Sequence, residues 1–242
     1  KAGWIAVMQR PGAPPAVAVY QTFEALTAAL PEDAAIAVDM PIGLPDRTGP
    51  GGRGPEALTR PLLGMRQSSV FSIPSRAAVY AELGPFADER DWRDAHAHAS
   101  GVARATSTPS RGVSIQAFGI FSKIREIDAA LRGRPELRTR VIESHPELAF
   151  WRLNGASAMT LPKKIKGRIN PEGMEERKAV LARCGFNRSF LDQTPPRGAG
   201  ADDFLDASVV MLIARRFARG SAQPFPDPPG RDAFGIPIAI WA

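Results

Sequence analysis

Residues 34–40 read AAIAVDM, a continuous apolar run that ends in an acidic residue, Asp39. Such a run is typical of a strand buried on both faces of a parallel sheet, and the PIGLP segment that follows ends it abruptly. An ionisable group at the end of a buried strand is costly unless it is paired. In open α/β sheets, ligands gather where parallel strands leave the sheet. Asp39 is therefore the first candidate for a functional residue.

The segments on either side of this run predict an α/β fold with a mixed sheet and helices on both faces. Residues 4–8 and 16–20 predict a hairpin, because two short apolar runs flank a proline-rich turn. Residues 140–144 (RVIES) predict a second core strand, and residues 236–241 an edge strand or a docked tail. Helices are predicted over residues 22–30, 56–63, 89–105, 114–132 and 201–219, from Pro146 and from Pro171, and a basic loop over residues 162–170.

Length and composition favour one domain over residues 1–242, because 44% hydrophobic and 23% charged residues are ordinary globular usage. The single cysteine, Cys184, cannot form an internal disulfide and favours a reducing cytoplasm. No apolar run is long enough for a membrane span, so no membrane association is predicted. A formal charge of +6 suits a polyanionic partner, although an arginine-rich proteome gives the same excess.

Acidic side chains from three segments are predicted to meet in one crevice. Asp39 and Glu143 end the two core strands. In the helix over residues 201–219, Asp206 lies four residues after Asp202 and three after Asp203, so one helical face can present two acids to the same crevice. Carboxylate oxygens are the ligands that Mg²⁺ or Mn²⁺ prefers, and two such ions can hydrolyse a phosphodiester bond. We therefore predict that Asp39, Glu143, Asp203 and Asp206 are catalytic, and that these four and Asp202 ligate metal.

Each acid also has a simpler interpretation. Acids are common in the first turn of a helix because the helix dipole favours them, which applies to Asp202 and Asp203. Asp39 can brace the turn that follows it, and Glu143 can pair with an arginine. The occurrence of all these acids in this order favours the metal site over the separate interpretations.

Polar and basic residues elsewhere are predicted to bind the phosphates of the substrate. They are Arg66, Ser68, Ser69, Arg76, Lys123, His145, Lys163 and Lys164. Alternatives stay open here as well, because charged loops are usually only solvated and a lone histidine is more often structural. Lys123 lies in an apolar helix and can extend its ammonium to solvent instead.

Several long motifs resemble a family of predicted ribonuclease H-like nucleases, catalogued as domain of unknown function 429. The resemblance covers nearly the whole chain. The matching segments are GWIAV from Gly3, AVDMPIGLPD from Ala37, LGMRQSSVFSIPSR from Leu63, GVSIQAFGIFSKIREID from Gly112, IESHPELAFWRLNG from Ile142, the basic KK-x-KGR stretch and ADDFLDA from Ala201.

The resemblance implies a ribonuclease H-like sheet of three antiparallel and two parallel strands, flanked by helices and carrying helical insertions. It makes Asp39 the acid of the fourth strand, and Asp203 or Asp206, with Asp202, the acids of the last helix. Similar proteins usually begin with a strand that carries an aspartate, followed by a turn that leads into the GW pair. Lys1 resembles the end of that turn, so the first acid is expected upstream of residue 1. Where the family often has a Cys-Asp pair, this chain has Pro-Glu at residues 55–56.

The sequence thus predicts a hydrolase that cleaves nucleic acid with Mg²⁺ or Mn²⁺. A nucleotide-binding phosphotransferase of related fold is one alternative. Such an enzyme is expected to have two phosphate-binding hairpins, and this sequence shows at most one. A nucleic-acid-binding module without catalysis is the other.

Overall fold

The computed structural model of the chain describes residues 3–242. Its strands are β1 (Trp4–Met8), β2 (Ala16–Tyr20), β3 (Ile36–Val38), β4 (Val141–Glu143), β5 (Lys164–Ile165), β6 (Arg168–Ile169), β7 (Pro224–Arg231) and β8 (Pro237–Trp241). Its α-helices are α1 (Phe23–Ala28), α2 (Pro55–Thr59), α3 (Arg76–Val79), α4 (Glu89–Ala105), α5 (Ile115–Phe118), α6 (Phe121–Gly133), α7 (Pro146–Leu153), α8 (Pro171–Arg183), α9 (Arg188–Leu191) and α10 (Ala201–Ala218). Two 3₁₀ segments cover Arg60–Ser69 and Pro135–Thr139. Across residues 3–242, every helix is too short or too polar for a membrane span.

A mixed sheet of four strands, in the order β3-β4-β8-β7, holds the two predicted core strands side by side. β3 and β4 are parallel, with Val38 opposite Glu143, and β8 runs parallel to β4. The predicted crevice required the two core strands to lie parallel and close together, and the structure meets that condition. β8 is an inner strand, so the prediction of an edge strand or docked tail was wrong. Its antiparallel partner β7 was not predicted, because its PFPDPPGR sequence contains prolines, which only an edge strand tolerates.

The predicted hairpin β1–β2 is confirmed, but it forms a sheet of its own. The expected combination of three antiparallel and two parallel strands in one sheet is therefore not matched. Residues 3–8 of the hairpin and residues 33–40 around β3 line one groove of about 1520 Å³, so the two strands do not pair. The expectation for Lys1 and for an acid upstream of it lies outside the described residues.

Three predicted segments differ in detail. The helix over residues 56–63 ends at Thr59 and continues as a 3₁₀ segment, in which Gly64 has φ 50° and breaks the regular geometry. The helix over residues 114–132 divides into α5 and α6 at Gly119 and Ile120. The basic loop forms the short hairpin β5–β6, because Lys166 and Gly167 both adopt the positive φ of a tight turn.

Helix α10 is the centre of the core and packs against β1, β3, α7 and α8. The predicted inward residues of this helix, Leu205, Val209, Leu212 and Ile213, are all buried. The first turns of α10 are also buried, including the acids Asp202 and Asp206. Because the helix crosses β3, its acidic end reaches the edge of the sheet where Asp39 leaves β3.

Candidate carboxylate site

A cavity of about 310 Å³ opens at the carboxyl ends of β3 and β4. Asp39, Glu143 and Glu147 line this cavity. Asp39 directly follows β3, Glu143 is the last residue of β4, and Glu147 lies in the first turn of α7. Pro146 begins α7 immediately after the strand, because its fixed φ suits the first helical position. Lys163, which precedes the β5–β6 hairpin, lines the cavity from another direction.

Asp39, Glu147, Lys163 and Asp206 form one charged group, which we call the Lys163 cluster. The Lys163 ammonium donates a hydrogen bond to Asp206 Oδ2 and also interacts electrostatically with Asp39 and Glu147. Glu147 Oε1 accepts a 2.5 Å hydrogen bond from the buried Arg177 guanidinium. Asp206 Oδ1 and Glu147 Oε2 are buried and make no hydrogen bond within the described residues. Three carboxylates from three separate elements thus share one lysine.

The environment of the cluster disfavours negative charge. Burial raises the pKa of Asp206 to about 6, and the neighbouring Asp39 and Glu147 add to the rise while Lys163 opposes it. Asp39 is exposed to solvent where it lines both the cavity and the groove, but the protein around its carboxylate still desolvates it and raises the pKa of Asp39 to about 6. Although burial acts against it, the surrounding carboxylates raise the pKa of Lys163 above its usual value. Carboxylates held this way attract a cation.

Glu143 lies in the same cavity but belongs to a different group, the Arg53 cluster, formed by Arg53, Glu56 and Glu143. The Arg53 guanidinium donates to both oxygens of Glu143, at 2.8 and 3.0 Å, and to Glu56 Oε1 at 2.7 Å. The Ile42 N–H also donates to Glu143 Oε2 at 2.7 Å. Burial raises the pKa of Glu143 to about 7 even though Arg53 opposes the rise. The interpretation that Glu143 pairs with an arginine is confirmed, and its role as a metal ligand stays a prediction.

The other two acids of α10 have their own contacts. Asp203 Oδ2 accepts a 3.0 Å hydrogen bond from the Gly200 N–H, which caps the helix, and its charge helps to raise the pKa of Asp39 after the larger effect of burial. Asp202 pairs with Lys164 at 2.6 Å. Both acids therefore contribute to the start of α10 while lying within electrostatic reach of the sheet edge.

Three of the residues predicted to bind substrate lie at the cavity. Lys163, His145 and Ser69 line it, and His145 Nε2 is 3.2 Å from the Ser69 carbonyl oxygen. His145 Nδ1 is buried and makes no hydrogen bond within the described residues. Burial lowers the pKa of His145, so the ring is neutral at pH 7 and one nitrogen keeps a free lone pair.

The structure separates the remaining candidates from this cavity. Arg76 pairs with Asp128 and Asp232 at 2.5 and 2.7 Å. Lys123 lies on the groove beside β1, where it pairs with Glu126 at 2.9 Å. Arg66 and Ser68 belong to the 3₁₀ segment, outside the cavity lining, and Lys164 is engaged with Asp202.

Sequence reasoning did not select two residues that the structure places at the site, Glu147 and Arg53. A signal for Glu147 existed, because it follows β4 by four positions in the same HPE segment that supplied His145. Arg53 gave no such signal, because Glu143 is 90 positions away and the two meet only in the folded chain.

Residues 1–231 match the model of a family described as protein of unknown function (DUF429). The chain belongs to this family. The comparisons with curated proteins and with solved structures produced no match. Membership of DUF429 therefore supplies no activity, and a function has to be inferred from the site itself.

The donor chemistry of the Lys163 cluster fits a divalent cation, because carboxylate oxygens are hard ligands and two of them are unbonded. The arrangement is not that of an assembled metal centre. Within residues 3–242, no three histidine, cysteine or acidic side chains are grouped closely enough to hold a metal ion. The positive charges beside these carboxylates are the ammonium of Lys163, on Asp206, and the guanidinium of Arg177, on Glu147.

Proposed function

We propose that this DUF429 chain is a metal-dependent phosphodiesterase that hydrolyses nucleic acid at the Lys163 cluster. The observation that supports this most is the convergence of Asp39, Glu147 and Asp206 on Lys163, with two buried carboxylate oxygens unbonded. Glu147 lines the cavity, Asp206 lines the groove, and Asp39 lines both. A buried carboxylate oxygen without a hydrogen bond is unfavourable. A site that binds a cation gives such an oxygen a partner.

Asp39 and Asp206 would hold Mg²⁺ or Mn²⁺, and Glu147 would complete the set, with Asp203 and Glu143 nearby. When bound, such an ion neutralises phosphate charge and activates water. The neutral His145 lies in the same cavity, where its unbonded Nδ1 can accept a proton.

Positive charge around the cavity supports a nucleic-acid substrate. Lys163 lines the cavity, and the exposed β5–β6 hairpin that follows it carries Lys164, Lys166 and Arg168. Together with the formal charge of +6, this hairpin attracts the phosphate backbone of a polyanion. The ribonuclease H-like character expected from the sequence is consistent with the same chemistry and remains part of the proposal.

The test is cleavage of single- and double-stranded DNA and RNA by the full chain with Mg²⁺ or Mn²⁺. Asp39→Asn and Asp206→Asn remove one negative charge each, and we expect cleavage to fall by about a hundredfold or more. Asp94→Asn is the matched control, because Asp94 lies on the exposed face of α4 and should leave cleavage unchanged.

Two outcomes would replace the proposal. Equal cleavage by wild type and Asp39→Asn would remove the assignment of the site. Salt-sensitive nucleic-acid binding without cleavage under either metal would indicate the non-catalytic module, and heat of binding with ATP and Mg²⁺ in calorimetry would indicate the phosphotransferase.

A further inference from the structure

We propose that Lys163 is a built-in counter-ion, whose ammonium competes with a divalent cation for the carboxylates of Asp39, Glu147 and Asp206. The inference rests on the proposed function, and it concerns how the same site is regulated. In the resting protein the site is closed by its own lysine, and a cation opens it by displacing the ammonium.

The contacts of Lys163 leave part of the acidic cluster without a hydrogen-bond donor. Its ammonium hydrogen-bonds to Asp206 Oδ2, while Asp206 Oδ1 and Glu147 Oε2 stay unbonded. An ammonium carries three N–H donors at the end of a flexible stem, whereas the guanidinium of arginine holds its donors in a rigid fork that fits carboxylates bidentately. Because Arg177 already pairs with Glu147, Lys163 is left to balance both Asp39 and Asp206, and a divalent ion would balance these two acids better.

The backbone around Lys163 is fixed. The Asn170 N–H donates to the Lys163 carbonyl oxygen at 2.9 Å, and the Asn170 side-chain amide donates to the Pro162 carbonyl oxygen at 2.8 Å. Gly173 of α8 lies so close that a Cβ there would be 2.1 Å from the same Pro162 oxygen. Because the main chain is held against α8, displacement of the ammonium requires rotation of the flexible side chain only.

The cavity provides room for the displaced ammonium. The side chain of Lys163 is 27% exposed and lines the cavity, so an outward rotation keeps it next to a ligand that enters there. A displaced ammonium in this position would face an anionic phosphate. Coulomb repulsion prevents the ammonium and a divalent cation from sharing the carboxylates at contact distance, so binding of one excludes the other.

The experiment measures Mn²⁺ binding directly, from the loss of the free-ion signal in electron paramagnetic resonance, without substrate. Lys163→Met keeps an unbranched apolar side chain and removes the ammonium, and we expect it to bind Mn²⁺ about tenfold more tightly than wild type. Lys163→Arg retains the charge and should not gain affinity. Lys166→Met is the matched control, because Lys166 lies at the exposed turn of the hairpin.

Equal or weaker Mn²⁺ binding by Lys163→Met would overturn the inference, and so would an equal gain in Lys166→Met, which would reflect net charge alone. Binding by neither wild type nor Lys163→Met also overturns it. The cleavage assay is separate: cleavage by wild type together with unchanged affinity in Lys163→Met would leave the proposed function standing. Tighter Mn²⁺ binding by Lys163→Met without cleavage by any variant would support the inference and remove the nuclease proposal.

Discussion

Two acidic clusters lie at the same sheet edge, and they differ in how their charges are satisfied. In the Arg53 cluster, each carboxylate oxygen of Glu56 and Glu143 accepts at least one hydrogen bond. In the Lys163 cluster, two buried carboxylate oxygens accept none. A cluster with every acceptor filled braces the fold, whereas one with unfilled acceptors is suited to bind a ligand.

The difference follows from the cation in each cluster. The planar guanidinium of Arg53 donates to Glu143 through two nitrogens and to Glu56 through a third. It also bonds to the carbonyl oxygens of Ile42 and Gly43, at 2.7 and 3.1 Å, and so locks the loop after β3 onto β4. Lys163 offers only a point charge on a flexible stem. The first arrangement is rigid, and the second can be exchanged for another cation.

The largest effect is expected when the rigid cluster is broken. Arg53→Met leaves two buried carboxylates without their partner, and we expect the free energy of unfolding to fall by about 4 kcal/mol. Urea unfolding of this variant and of Arg93→Met provides the comparison. Arg93 pairs with Glu89 on the exposed face of α4, so its loss should cost less than about 0.5 kcal/mol. Similar stabilities of the two variants would contradict the bracing role.

A smaller difference is expected between the acids themselves. Glu143→Gln replaces the carboxylate that accepts two hydrogen bonds from Arg53 with a neutral amide, only one end of which can accept. We expect it to reduce the free energy of unfolding by about 2 kcal/mol. Asp206→Asn should cost less than about 1 kcal/mol, because Lys163 donates to one oxygen of Asp206 and the other oxygen accepts no hydrogen bond within the described residues. A larger loss from Asp206→Asn than from Glu143→Gln would reverse the comparison.

The smallest effect is a dependence of stability on pH at Asp39. Because the pKa of Asp39 is about 6 in the folded protein and near its ordinary value of 3.8 when unfolded, the unfolded chain loses this proton first as pH rises. The wild type is therefore destabilised between about pH 4 and pH 6 relative to Asp39→Asn. Since Asp39 is accessible to solvent, screening reduces the difference at pH 8 to about 1 kcal/mol.

Thermal unfolding of both proteins from pH 3.5 to pH 8 measures this difference. The two proteins should be equally stable below pH 4, and Asp39→Asn should be the more stable above pH 6. A stability advantage for wild type at pH 8 would mean that the attraction of Lys163 for Asp39 outweighs burial and the neighbouring acids, contrary to the raised pKa of Asp39.

Local patterns predicted the elements of this protein well where the sequence has strong periodicity. The cap of α1 by Thr22, the full extent of α4 and the parallel pair β3–β4 all follow from short stretches of sequence. β7 was not predicted because prolines are rare in strands and its sequence therefore resembles a loop. The separate β1–β2 sheet was not expected because the sheet to which a strand belongs depends on partners far away in the sequence. The acids Asp39 and Asp206 were predicted from strand ends and helix starts.

The sequence by itself determined which residues carry charge, which segments are apolar, and that Asp39 and Glu143 each lie at the end of an apolar strand. Only the tertiary structure decided that Arg53 closes on Glu143 while Lys163 and Glu147 join Asp39 and Asp206. The physical reason is that a salt bridge depends on distance in space, and Arg53 and Glu143 are separated by 90 positions in the chain. Burial then sets the pKa of each acid, and burial is a property of the whole fold.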